Sequence, residues 1–233
     1  MAKASASTST VRTELKEALA RWGWTKSGLI PLLRGGGDSS KGSNFERDLC
    51  KQLSLWWTCG ARDDIFWRSS GSGARAKVRG RRGANTAGQH GDIAATDPIG
   101  APFIDLLTIE AKRGYSEFTV QDILDRMPSG GVQMWEEWFA QTLESHEQAG
   151  SYSWMLVTRR DRRVPMVWHP YHLLASLRAH GAFVEGYPRP LFRMSVTIRY
   201  LEQTTTVDAV GMTLDAWLGA VPPDAVRQLA ERV

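Results

Sequence analysis

The chain has 233 residues, 42% of them hydrophobic, and its 29 Lys and Arg against 25 Asp and Glu leave a net charge of +4. That suffices for a substantial core, while no run is long and apolar enough to span a bilayer and MAKASASTST lacks the apolar centre of a signal peptide, so a cytoplasmic or nucleoid-associated protein without a membrane partner is expected. The cysteines Cys50 and Cys59 have no companion ligands at zinc spacing, which argues against a structural zinc site and a disulfide framework; Cys50 is expected to pack as a small hydrophobe.

In chain order, Val11 to Trp22 reads as a helix with Leu15, Leu19 and Trp22 on one stripe, and Arg34 to Asn44, RGGGDSSKGSN, reads as a flexible connection. This divides the chain into a start with a helical appendage and linker (1–41) and a main domain (42–233), in which 150–233 elaborates the C-terminal side. The next helix opens at Ser43 and carries Phe45, Leu49, Leu53 and Trp56 along one stripe. Glu46 lies at the margin of that stripe, and two readings compete for it. Ser43 and Glu46 have the spacing of a capping box, or the carboxylate leans over the sheet and joins a metal site.

Ile65 to Arg68 is a short strand followed by the small-residue loop SSGSG, Ser69 to Gly73. Between Arg75 and Arg82 five of eight residues are basic: Arg75, Lys77, Arg79, Arg81 and Arg82. Glycine lets a backbone approach phosphates closely, serine hydroxyls bond them, and clustered Arg and Lys neutralise them; the plain alternative is a solvated loop. From Glu117 to Glu147, by contrast, seven acids face Arg126 alone, so a basic and an acidic side are expected. Trp67, beside Arg68, is the tryptophan best placed to stack on a base, whereas Trp56, Trp135 and Trp138 fall on core stripes.

Gly91 to Gly114, GDIAATDPIGAPFIDLLTIEAKRG, reads as two strands, Asp92–Thr96 and Phe103–Lys112, joined by a turn at Asp97, Pro98 and Gly100. An antiparallel hairpin centred near Ala101 sets Asp92 opposite Glu110. Strand alternation puts Glu110 and Lys112 on one face and Ile109 and Ala111 on the other. Two carboxylates and an ammonium then converge, which suits a hard cation such as magnesium, with the lysine orienting the attacking water. The plain alternative is a hairpin with a solvated Glu–Lys pair.

A helix beginning FERDL, a strand ending RSSGSG, then GDI and IEAK on a later strand together resemble the restriction-endonuclease-like, or PD-(D/E)XK, nuclease superfamily. Within it the order is most similar to archaeal-type Holliday-junction resolvases. The resemblance covers roughly Gly42 to Gly114. It implies an α/β fold, a mixed central β-sheet flanked by helices, and a site for phosphodiester hydrolysis made of Glu46, Asp92, Glu110 and Lys112. In it Glu46, Asp92 and Glu110 hold Mg2+ (Mn2+ as substitute), and Arg68 with Ser70 or Ser72 contacts the substrate. The sequence departs from the pattern in its basic insertion, in Gly91 where a proline usually precedes the Asp, and in the length of chain after the lysine.

Downstream, Thr119–Arg126 reads as a short helix and Val132–Glu147 as an amphipathic one, with Trp135, Trp138, Phe139, Thr142 and Leu143 inward and Gln133, Glu136, Glu137 and Glu144 outward. Ser153–Thr158 and Val164–Trp168 are strands joined by the basic turn Arg159 to Arg163. Helix Pro170–Ala179, strands Phe192–Tyr200 and Thr205–Val210, and helices Leu214–Leu218 and Asp224–Arg232, the last capped by Asp224, complete the chain. The resulting expectation is a Mg-dependent DNA endonuclease acting on branched DNA in recombination or repair, as a homodimer if the junction is two-fold and without a small-molecule cofactor. The alternatives are a non-catalytic DNA-binding protein on the same fold and a nuclease for ordinary duplex or flap DNA.

Overall fold

The computed structural model describes residues 38–69, 91–114, 119–125, 132–200 and 203–233. The expected helix over 11–22 and the phosphate-contacting candidates Ser70, Ser72, Arg75, Lys77, Arg79, Arg81 and Arg82 lie outside them. The elements are α1 (Asp38–Trp57), β1 (Phe66–Arg68), β2 (Ile93–Ala95), a 3-10 turn (Pro98–Gly100), α2 (Ala101–Leu106), β3 (Leu107–Arg113), α3 (Gln121–Leu124) and α4 (Met134–Ala149). After these come β4 (Ser153–Arg159), β5 (Met166–Pro170), α5 (Tyr171–Ala179), β6 (Phe192–Tyr200), β7 (Gln203–Thr213), α6 (Leu214–Ala220) and α7 (Pro223–Ala230).

Five strands form one sheet in the order β3-β4-β5-β7-β6, and β1 and β2 form a separate antiparallel pair. The sheet is mixed: β3 and β4 run parallel, with Glu110 beside Leu156, and the other neighbours are antiparallel. Helices cover both faces. On one, Phe45, Leu49, Phe103, Leu173, Trp217 and Val226 pack against Ile109, Met155, Val157 and Met212. On the other, Trp135, Trp138 and Phe139 of α4 pack on Trp154, Leu156, Trp168 and Ile198. Each of these side chains contributes about 1.5–3 kcal/mol by leaving water. The expected layered α/β architecture is thus present, and Trp56, Trp135, Trp138 and Cys50 are buried as expected.

The expected hairpin between Asp92 and Lys112 is not formed. Asp97 accepts a hydrogen bond from the Ile99 N–H, Pro98 opens a 3-10 turn, and Pro102 sits in the first turn of α2. Pre-set proline φ angles and the Asp97 cap favour helix over 101–106, which buries Phe103, Ile104 and Leu106. β2 pairs instead with β1, Arg68 beside Ile93, and β3 takes β4 as its parallel neighbour.

Other expectations shift too. Helix α1 begins at Asp38, inside the expected linker, so Ser43 is interior to the helix and does not open it. A capping box is found at the start of α4: Gln133 is the N-cap, and the Glu136 side chain accepts its backbone N–H. Glu136, expected outward, is wholly buried because it also accepts the Arg199 N–H of edge strand β6 at 3.1 Å. Strand β4 runs through Arg159, which is buried, so the basic turn loses its first arginine to the interior. Helix α7 is capped by Pro222, and Asp224 lies in its first turn, where it pairs with Arg227.

Gly211 of β7 shows how closely the α4 face is packed. A Cβ there would lie 2.3 Å from the Trp168 ring. Gly211→Ala is therefore expected to cost about 1–3 kcal/mol, read as a lowered denaturation midpoint with an unchanged m-value.

Candidate active site

Strand β3 lies at the edge of the sheet, and its alternation decides what the site contains. Ile109 and Ala111 enter the helix-covered core on the α1 side, while Glu110 points toward α4, so the Glu-x-Lys pair shares a face as the sequence implied. The Lys112 Nζ stands 3.0 Å from Glu110 Oε2 and 3.9 Å from Asp92 Oδ2.

Asp92 reaches this patch by docking on the free edge of β3. Its N–H donates to the Ile109 carbonyl at 2.7 Å, and its Oδ2 accepts the Ala111 N–H at 2.9 Å. These two bonds bracket Glu110, so Asp92 meets it without the ladder the sequence reading invoked. The carbonyl of Asp92 accepts the Ser69 N–H, and the Ser69 hydroxyl donates to the Gly91 carbonyl at 2.7 Å, which ties the approach to the end of β1. Gly91 has φ +81°, and a Cβ on it would sit 2.7 Å from the Ile109 oxygen. Proline cannot adopt that φ, which is why glycine precedes the aspartate here.

Helix α1 brings Glu46 from the other side. Phe45, Leu49 and Leu53 bury its stripe, and the Ser54 hydroxyl accepts the Phe66 N–H at 2.9 Å, anchoring β1 to the helix. Across this joint Glu46 forms an ion pair with Arg68. Its charge is felt at both Asp92 and Lys112, so all four expected site residues are brought into one electrostatic neighbourhood. Arg68, expected to face the substrate, is held against Glu46, and next to it Trp67 is 51% exposed.

The cluster carries an unbalanced negative charge. Glu110 and Asp92 are buried. Burial, followed by the nearby Glu110 charge, pushes the Asp92 carboxyl up to about 7, against the opposing pull of Lys112. Burial disfavours the Lys112 ammonium, but Glu110, Asp92 and Glu46 together outweigh it and raise its pKa. Such a site gains by taking up a cation or a proton.

Sequence reading missed Ser145 of α4. Its hydroxyl donates to Glu110 Oε1 at 2.8 Å, and both residues are buried. The available signal was a hydroxyl on the inward stripe formed with Trp138 and Thr142. Gln133, expected on the outward face of that helix, is its N-cap.

Among the described residues no group of three or more His, Cys, Asp and Glu side chains forms a ready-made metal cage. Asp92 and Glu110 nonetheless fit magnesium by their donor chemistry, since that ion takes one or two carboxylates and keeps several waters. A cavity of about 540 Å³ lined by Ile123, Glu136, Thr197 and Arg199 lies at the β6 edge, away from this cluster. No helix among the described residues is long and apolar enough to cross a membrane.

No curated protein and no solved structure matches the chain. The sequence model of a family described as "Phage putative PDDEXK endonuclease" matches residues 37–228, a span that takes in Glu46, Asp92, Glu110 and Lys112. With that match over most of its length, the chain belongs to this PD-(D/E)XK endonuclease family and has a restriction-endonuclease-like α/β fold.

Proposed function

We propose that the protein is a Mg2+-dependent endodeoxyribonuclease whose active site is Glu46, Asp92, Glu110 and Lys112. The observation that carries this reading is the meeting of Asp92, Glu110 and Lys112 within 4 Å contacts at the edge of β3, with excess negative charge. Asp92 and Glu110 would hold the ion, and Glu46 would complete its surroundings directly or through water. When bound, the ion supplies Lewis-acid charge to the scissile phosphate and lowers the pKa of water, and manganese can replace it. Lys112, kept protonated by its carboxylate neighbours, donates hydrogen bonds that orient the nucleophilic water and offset charge developing on the phosphate oxygens.

Trp67 offers an exposed ring for a base beside the site. The basic run Arg75, Lys77, Arg79, Arg81 and Arg82, with Ser70 and Ser72, would hold the DNA backbone. The order of motifs makes a four-way junction the first substrate to try, and two-fold cutting of a junction would call for a homodimer. Purified protein is expected to nick or cut at least one of four-way junction, flap, linear duplex and single strand in the presence of Mg2+ or Mn2+. Glu110→Ala is expected to abolish cutting while leaving DNA binding largely intact in a gel-shift measurement. Salt-sensitive binding with no cation-dependent cleavage of any substrate would favour a non-catalytic DNA-binding protein instead.

A further inference from the structure

Both oxygens of Glu110 are engaged: Oε2 accepts from Lys112 at 3.0 Å, and Oε1 accepts from the Ser145 hydroxyl at 2.8 Å. The two contacts differ in kind. Lys112 shares the strand with Glu110 and has a charge that Asp92 also attracts, at 3.9 Å. Ser145 comes from α4, which is fixed independently by Trp135, Trp138 and Phe139 in the core on that face of the sheet and by the Gly150 left-handed C-cap. Ser145 is 3% exposed and Glu110 1%, so water has little access to compete for this bond.

We propose that Ser145 is a positioning residue: its hydroxyl fixes the rotation of the Glu110 carboxylate and thereby sets the affinity of the site for a divalent cation. This rests on the reading of Glu110 as a cation ligand. A carboxylate free to rotate must be ordered when it binds an ion, whereas one held by a donor from a rigid helix is ordered in advance. The donor also offsets part of the cost of burying the Glu110 charge. Removing such an outer partner typically lowers metal affinity about 10–100-fold.

The test is titration calorimetry of Mn2+ into the full chain without DNA. Ser145→Ala and the near-isosteric Ser145→Cys are expected to weaken cation binding about 10–100-fold, and Ser145→Thr, which keeps the hydroxyl, to retain most of it. Thermal melts of the same proteins separate this role from a packing role. A residue that only packs would lower the melting temperature in all three variants without moving the cation affinity in order of hydroxyl content.

Glu110→Gln provides the control. If Glu110→Gln removes Mn2+ binding while Ser145→Ala and Ser145→Cys leave it at the native value, the positioning role is overturned and the reading of Glu110 stands. If Glu110→Gln leaves Mn2+ binding unchanged, the reading of Glu110 fails and the inference falls with it.

Discussion

Asp92→Asn is expected to abolish DNA cleavage and, in the metal-free protein, to raise stability. Loss of a cation-holding carboxylate removes several kcal/mol of transition-state stabilisation, about 10²–10⁴ in rate. The same carboxylate is a liability to the fold, because it is buried beside Glu110 and held up to about 7. An amide retains an oxygen to accept the Ala111 N–H but carries no charge. At pH 8 the variant should gain about 1–2 kcal/mol, roughly 2–8 °C in melting temperature.

The pH dependence has a definite sign. The Asp92 carboxyl rises from an ordinary 3.8 to about 7 on folding. Between those values the folded chain keeps a proton that the unfolded chain has lost. Stability attributable to Asp92 is therefore greatest near pH 4, declines as pH rises toward 7, and levels off above it. Urea denaturation of the metal-free protein at steps from pH 4.5 to 8 should show a downward slope that is reduced in Asp92→Asn. Identical slopes would contradict the buried like-charge account.

Gly91→Ala is the second large effect. The added Cβ would press on the Ile109 oxygen at 2.7 Å and force an L-residue into φ +81°. Backbone on both sides leaves little to give, and a cost of about 2–4 kcal/mol is expected from combined strain and overlap. Relief requires lifting residue 91 from β3, which breaks the Asp92 N–H bond to Ile109 and moves the carboxylate away from Glu110. Cleavage should therefore fall by about 10²-fold or more even at temperatures where the variant is fully folded. Gly91→Pro should be worse, since its φ is locked near −65°. Near-native cleavage by a folded Gly91→Ala protein would show that the loop repositions Asp92 by another route.

What could be read from the sequence was what depends on local periodicity. The face shared by Glu110 and Lys112 follows from strand alternation whichever neighbour the strand takes, and the α1 stripe of Phe45, Leu49, Leu53 and Trp56 follows from helical spacing. Pairing was not local. β3 lies beside β4 across the intervening helices α3 and α4, and nothing within Gly91–Gly114 records that partner. The segment PFIDL misled because Ile and Leu suit strands as well as buried helices, although Pro98 and Pro102 at successive turn starts were a readable sign of helix. Glu136 was placed outward by its charge alone, since its two N–H partners include Arg199, 63 residues away. Ser145 carried no motif, and only its inward position in α4 distinguished it.

The two outer strands of the sheet are each closed by a carboxylate: Asp92 takes the Ala111 N–H of β3, and Glu136 takes the Arg199 N–H of β6. An unpaired strand edge is a template for joining to another chain. On β3, the residue that guards against such joining is the one assigned to the chemistry, so the choice of inactive variant has solution consequences. Asp92→Asn disarms the site and keeps the edge occupied, whereas Asp92→Ala leaves the Ala111 N–H open to a neighbouring chain and invites self-association in concentrated samples.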